Sequence, residues 1–169
     1  MKFLTPDFMF FRVTDISVEF LKSNNIDTLL LDADNTLSTH HSQEPARGVA
    51  EWLDEMRKNG ISLMMVSNSK EKRVRPFAEK LGLEFEYLSL KPLTKGIARA
   101  VKRLGADKKR TALVGDQIFT DVIATRLSGI RPIFVKYMKA EEKLSFKVRR
   151  SLERKILKDK KYIGEEKRP

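Results

Sequence analysis

What most narrows the fold of this chain is a set of short, unbroken apolar runs that each deliver a polar side chain at their end. Leu29, Leu30 and Leu31 lead into Asp32 and Asp34, "ISLMMV" (61–66) leads into Ser67, and Thr111–Val114 is followed by Asp116. Runs that are continuous rather than alternating predict strands covered on both faces. A helix is expected to open at Glu44-Pro45, carry Val49, Trp52, Leu53 and Met56 at helical spacing, and stop at Gly60. Further helices are expected from about Lys70 to near Gly82, over roughly 93–104, and through Ala124. A short strand is expected in "EFEYLS" (84–89) and a fifth at the end of "SGIRPIFV". Strands alternating with helices of this length build βαβ units, so the expected class is α/β, a central parallel sheet with helices on both faces. Ligands of such sheets bind past the C-terminal ends of the strands. Asp32, Asp34, Ser67, Lys91 and Asp116 all fall there.

Asp32 and Asp34 are separated only by Ala33, and their mutual repulsion calls for a metal ion, a proton or both. An aspartate at a strand end can attack an electrophile and form a covalent intermediate. An acid two residues on can protonate a leaving oxygen and later deprotonate the attacking water. Asp116 adds a third carboxylate, and an oxygen-only donor set suits Mg²⁺. Ser67 and Lys91 supply a donor and a positive charge for phosphoryl oxygens. Plainer readings compete with these. Asp34-Asn35-Thr36 also reads as a turn and helix cap, and Lys91 before Pro92 as a solvated loop lysine. His40 and His41 adjoin the loop after the first strand and are read as loop residues rather than metal ligands. Trp52 and the phenylalanines are read as core. A phosphoaspartate receiver domain shares the plan but does not call for the acid at 34.

With no cysteine in its 169 residues, the chain has no disulfide, thiolate metal site or thiol nucleophile. No apolar stretch approaches the ~20 residues that span a bilayer. The N-terminal "MKFLTPDFMFFRVTDI" is broken by Asp7, Arg12 and Asp15 and lacks a small-residue cleavage site, so no signal peptide is expected, and a cytoplasmic setting is. The net charge is +11, and from Lys136 onward 13 Lys and Arg face 6 Asp and Glu, so +7 of it sits in the last 34 residues. Such a tail expects anionic company, whether nucleic acid, a membrane surface or a phosphorylated macromolecule, or else it is a solvated helix.

"DADNT", "VSNS", "KP" and "GDQIFTD", in that order, resemble the four motifs of the haloacid dehalogenase-like phosphatases. The resemblance runs from about 26 to 135. It implies a three-layer Rossmann-like fold, with Asp32 as nucleophile and Asp34 as general acid and base. Ser67 and Lys91 would hold the phosphoryl group, with Asn68 lining its pocket. Mg²⁺ would be bound by Asp32, Asp116 and the main-chain carbonyl of Asp34, with Asp121 in or beside the second coordination sphere. Many such enzymes carry a cap domain. Here 26 residues separate Asp34 from Ile61 and 23 separate Ser67 from Lys91, already filled by predicted core elements, so no cap is expected. The open site then suits a large substrate, or a lid from a neighbouring subunit. The missing cysteines depart from the zinc loop of uncapped relatives that act on sugar or histidinol phosphates.

Within the uncapped group the chain is similar to the YqeG-type branch of subfamily IIIA, related to mitochondrial phosphatidylglycerophosphate phosphatases. The features that carry this are "LTPDFMFFRVTDIS", the compact motif core and the basic "RRSLERKIL". In that last segment Leu144, Val148, Leu152 and Ile156 recur every four residues, with Lys143, Lys147, Arg150, Arg154 and Lys158 largely on another side. A basic amphipathic helix can lie on an anionic bilayer. Alternatively, the apolar stripe packs on the domain and only the charges face water. The expected organisation is an uncapped phosphatase core over 1–135, with a lead-in over 1–25, and a basic helical tail over 136–169. The expected activity is Mg²⁺-dependent hydrolysis of a phosphate monoester through a phosphoaspartate. The substrate would be large or membrane-associated, a phospholipid headgroup such as that of phosphatidylglycerophosphate included, at the inner face of the membrane. The alternative is a scaffold of the same fold that binds RNA or the ribosome through its tail. Oligomerisation is left open.

Overall fold

Leu29, Leu30 and Leu31 are all fully buried, and their side chains point alternately into two different hydrophobic layers. This places the strand in the middle of a covered sheet. The computed structural model describes residues 2–40 and 42–164, the side chain of Lys2 excepted. His41 and residues 165–169 of the expected tail lie outside them. The strands are β1 (Phe8–Phe10), β2 (Thr28–Leu31), β3 (Ser62–Val66), β4 (Glu84–Glu86), β5 (Thr111–Gly115) and β6 (Arg131–Val135). All pair in parallel, in the order β1-β6-β5-β2-β3-β4. Leu30 of β2 stands between Met64 of β3 and Leu113 of β5.

The helices are α1 (Val18–Ser23), α2 (Val49–Lys58), α3 (Glu71–Lys80), α4 (Lys95–Leu104), α5 (Ile123–Ser128) and α6 (Leu144–Leu157). On one face α1, α2 and α3 bury Leu21, Trp52, Leu53, Met56 and Phe77 against Leu29 and Leu31. On the other, Ile97 and Ala100 of α4 and Ala124 of α5 cover Leu30, Met64 and Leu113. These three layers are the expected α/β architecture. The chain builds β3 and β4 on one side of β2 and then returns to its other side for β5 and β6. The strand order therefore switches between β2 and β5, the position where open α/β sheets form a ligand crevice at their C-terminal edge. Among the described residues no additional domain covers that edge. Trp52 is core, as expected, and its Nε1 donates to Ile16 O at 2.8 Å.

The structure departs from the sequence reading in three places. The segment taken as a lead-in supplies the edge strand β1, which pairs with β6, and the helix α1. The helix expected from Glu44-Pro45 starts at Val49, because Gly48 takes a left-handed φ of +81° and Ala46 N is drawn away to Leu37 O at 2.8 Å. The final helix turns its apolar stripe outward, the first of the two expected arrangements, and departs from both at Arg150. Leu144, Val148 and Leu152 are 75, 53 and 45% exposed, and only Ile156 of that stripe packs inward, with Leu157 and Tyr162, against Met9, Ile118, Val122 and Phe134. Arg150, expected on the water-facing side, is 4% exposed and Glu153 is 3% exposed. Beyond the helix, Ile163 N donates to Met9 O at 2.7 Å, so the tail returns to the outer edge of β1.

Candidate active site

Asp32 follows β2 directly, and its amide continues the ladder by donating to Val114 O at 2.9 Å. The chain then coils over itself: Leu37 N and Ser38 N both donate to Ala33 O, at 3.0 and 3.2 Å. Asn35 adopts a φ of +59°, which asparagine tolerates better than most residues. This tight loop separates the two aspartates. The Asp32 side chain faces the sheet edge and is nearly buried, whereas the Asp34 carboxylate turns to Arg73 of α3, 2.5 Å away, with His40 Nδ1 at 3.8 Å.

Lys91 comes from the loop between β4 and α4. Its Nζ reaches Asp32 Oδ1 at 2.5 Å, Val66 O at 3.0 Å and Asp121 Oδ1 at 2.8 Å, the last an ion pair without aligned hydrogen-bond geometry. That loop holds two leucines at positive φ, Leu88 (+43°) and Leu90 (+56°), a conformation that persists only where surrounding contacts impose it. The contacts are visible. Asn68 Oδ1 accepts from Lys91 N at 2.7 Å and from Ser89 Oγ at 2.8 Å, while Asn68 Nδ2 donates to Lys91 O at 2.9 Å. Beneath it Gly96 is required, since a Cβ there would fall on Ser89. Asn68 was expected to line the phosphate pocket; its amide is engaged with the Lys91 main chain. Ser67, also buried, follows β3 and accepts from Ser69 N through Oγ at 3.1 Å.

Asp116 lies past β5 and is fully buried, and Asp121 sits on a π-turn, Ile118–Val122. Asp121 Oδ2 accepts from Gln117 N at 3.1 Å, and it lies so close to Gly115 that any Cβ at that position would overlap it. One carboxylate oxygen from each of Asp32, Asp116 and Asp121 lies within 4.8 Å of the others. Asp116 Oδ1 is buried with no hydrogen-bond partner. The other oxygen, Oδ2, is bonded by Arg150 of α6.

Burial pushes the Asp32 carboxyl up to about 7; Lys91 opposes the rise and the charge of Asp121 adds to it. Burial likewise pushes Asp116 well above the ordinary carboxylate range, with Arg150 pulling it down and Asp32 and Asp121 pushing it up. Lys91 is raised: burial works against its charge, but Asp121 and Asp32 outweigh that. The crevice thus gathers more negative charge than its ammonium neutralises. An all-oxygen donor set with one buried, unpartnered carboxylate oxygen fits a hard divalent cation such as Mg²⁺. Asp121 contributes its side chain to this group, and Asp34 does not.

A family model described as haloacid dehalogenase-like hydrolase matches residues 17–129, and the chain belongs to that family. Over 156 residues it is 34% identical to the Bacillus subtilis (strain 168) protein "Probable phosphatase YqeG", covering 92% of this chain and 91% of that one. It is 30% identical over 114 residues to the phosphoglycolate phosphatase of Agrobacterium fabrum (strain C58 / ATCC 33970), covering 59% of this chain and 48%, about half, of that protein. Among solved structures, NagD of E. coli K-12 superposes with a TM-score of 0.55 at 14% identity, over 65% of this chain and 87% of that one. The cobalt-bound deoxy-D-mannose-octulosonate 8-phosphate phosphatase YrbI of Haemophilus influenzae gives 0.50 at 17% identity, over 81% and 90%. These two show the fold. The expectations of this family, of its Rossmann-like fold and of a phosphoric monoester hydrolase agree with the matches.

The sequence reading passed over Arg73, Arg150, Glu141 and Glu153. Arg73 lies in "KEKRVRPF", where one cation among several gives no signal of its own beyond its position six residues after Ser67. Arg150 was hidden in the charge run of the tail.

Proposed function

We propose that this protein is a Mg²⁺-dependent phosphomonoesterase working through a phosphoaspartate on Asp32. The observation that carries the proposal is the convergence of Asp32, Asp116 and Asp121 oxygens within 4.8 Å, with Lys91 Nζ 2.5 Å from Asp32. Asp32, Asp116 and Asp121, with the Asp34 main chain, would hold the ion, which when bound neutralises the charge of the carboxylates and the phosphoryl oxygens. An Asp32 oxygen attacks phosphorus as the ester P–O bond breaks, and Asp34 gives a proton to the departing alkoxide. Asp34 then takes a proton from water, which attacks the phosphoaspartate and releases phosphate and free Asp32. Lys91 and Ser67 donate to the phosphoryl oxygens through both steps. Asn68 keeps Lys91 in register.

The open crevice favours the phosphate end of a large substrate. A groove of about 260 Å³ beside His40, lined by Lys139, Lys143 and Phe146, offers cationic and aromatic contact to the rest of it. We infer that the substrate is a phosphorylated lipid headgroup, met at the inner face of an anionic membrane. The support is the outward face of α6, where Leu144, Val148 and Leu152 are exposed among exposed Lys143, Lys147, Arg149 and Arg154. Each such cation near an anionic surface contributes about 1 kcal/mol. Among the described residues no helix is long and apolar enough to cross a membrane.

The purified protein is expected to hydrolyse a phosphomonoester with Mg²⁺ and to stop when EDTA is added. Asp32→Asn is expected to lower kcat by roughly 10⁴-fold or more, as losses of a covalent nucleophile do. Retained turnover in this variant removes the phosphoaspartate from the mechanism. On phosphatidylglycerophosphate in anionic vesicles the rate is expected to exceed that on soluble sugar phosphates, and the reverse order ends the lipid assignment.

A further inference from the structure

The tail, read from sequence as a surface element, reaches into the crevice. Arg150 uses all five of its N–H donors there. Nη2 bonds Asp116 Oδ2 and, at 2.7 Å, Glu141 Oε1; Nη1 bonds Asp116 O at 2.5 Å and Glu153 Oε2 at 3.0 Å; Nε bonds Glu141 Oε2 at 3.2 Å. The two glutamates are themselves anchored to the motif loops. Glu153 Oε1 accepts from Ile118 N at 2.7 Å, just past Asp116, and Glu141 Oε1 accepts from Asn35 Nδ2 at 3.2 Å, next to Asp34.

We propose that Arg150 is the positioning residue of the metal site, fixing Asp116 so that its free oxygen faces Asp32 and Asp121. Asp116 is gripped at two points, its carbonyl and one carboxylate oxygen. That grip selects one side-chain rotamer and leaves the unpartnered Oδ1 as the ligand atom. Second-layer groups of this kind orient ligands and tune affinity. The role rests on the reading of Asp32, Asp116 and Asp121 as a cation site. It differs in sign from a simple charge effect. A guanidinium beside a metal ligand repels a cation, so on charge alone its removal tightens binding, whereas loss of positioning weakens it.

The test is Mn²⁺ binding to the full chain, followed by loss of the free-ion EPR signal and by displacement with Mg²⁺. In Arg150→Gln the affinity is expected to fall about tenfold to a hundredfold, approaching that of Asp116→Asn. Arg150→Lys is expected to fall nearly as far, because three donors on one nitrogen cannot span Asp116 and both glutamates. Equal or tighter binding in Arg150→Gln, or full recovery in Arg150→Lys, overturns the proposal. Should Arg150→Gln yield no folded protein, Glu141→Gln decides: weaker Mn²⁺ binding supports the positioning role and unchanged binding overturns it. A wild type that binds no Mn²⁺ fails the cation reading itself, whereas wild type and Arg150→Gln binding equally fails the positioning role alone.

Discussion

Two buried cations serve the same crevice in different ways. Lys91, from the β4–α4 loop, offers one nitrogen to Asp32, Asp121 and the Val66 carbonyl. Arg150, from α6, spreads its donors over Asp116, Glu141 and Glu153. An ammonium on a flexible stem is a point charge that can exchange a carboxylate for a phosphoryl oxygen without losing its other contacts. A fully engaged fork cannot change one partner without disturbing the rest. Both carry the same charge in a crowd of acids. On the proposed mechanism, donor geometry rather than charge sorts one toward chemistry and the other toward placement.

The contrast can be broken experimentally, and the largest effect is expected at Lys91. Lys91→Met should lower kcat by about 10²–10³-fold, the usual loss when one donor to a developing oxyanion goes, while the melting curve reports that the fold persists. A loss no larger than that of Arg150→Gln would place the two cations in the same class. Next comes the packing that holds Asp121 near Lys91. Gly115→Ala forces a methyl group into the Asp121 carboxylate and should cost about 1–3 kcal/mol in thermal or denaturant unfolding, as overpacking does, with slower turnover; an unchanged midpoint would mean the π-turn yields freely. The smallest effect is expected on the outer face of α6. Leu152→Glu should leave stability within about 0.5 kcal/mol and turnover of a soluble ester unchanged, while binding to anionic vesicles weakens. If the soluble rate drops instead, the two faces of α6 are not independent.

Much of this site was legible in the sequence because its parts are local. Leu29–Leu31, Ile61–Val66 and Thr111–Val114 are unbroken apolar runs, and burial on both faces of a parallel sheet produces such runs. The residues they deliver, Asp32, Ser67 and Asp116, follow by chain connectivity alone. Strand β1 escaped notice because its three residues, Phe8–Phe10, are too few to establish a period. The start of α2 was misjudged because Pro45 favours a helix N-terminus while Gly48, three residues on, takes a left-handed turn that ends any earlier helix. The orientation of α6 was left open between two arrangements for a deeper reason. Helical spacing tells which side chains share a face but not which face meets the protein. Here the choice was made by counter-ions: Asp116 is 34 residues from Arg150, a pairing no periodicity can register. The faint clue was Glu153, the one acid within the otherwise basic α6.

The recognisable motifs close at Asp121 and the matched family region at residue 129, yet a side chain at 150 completes the surroundings of Asp116. A fragment trimmed to the motif-bearing portion would keep each proposed reacting group and still leave an interior aspartate facing a hollow where its counter-charge belongs. Grafts and minimal enzymes cut from this chain therefore need their boundary set by ion pairing, beyond Glu153, and not by motif length.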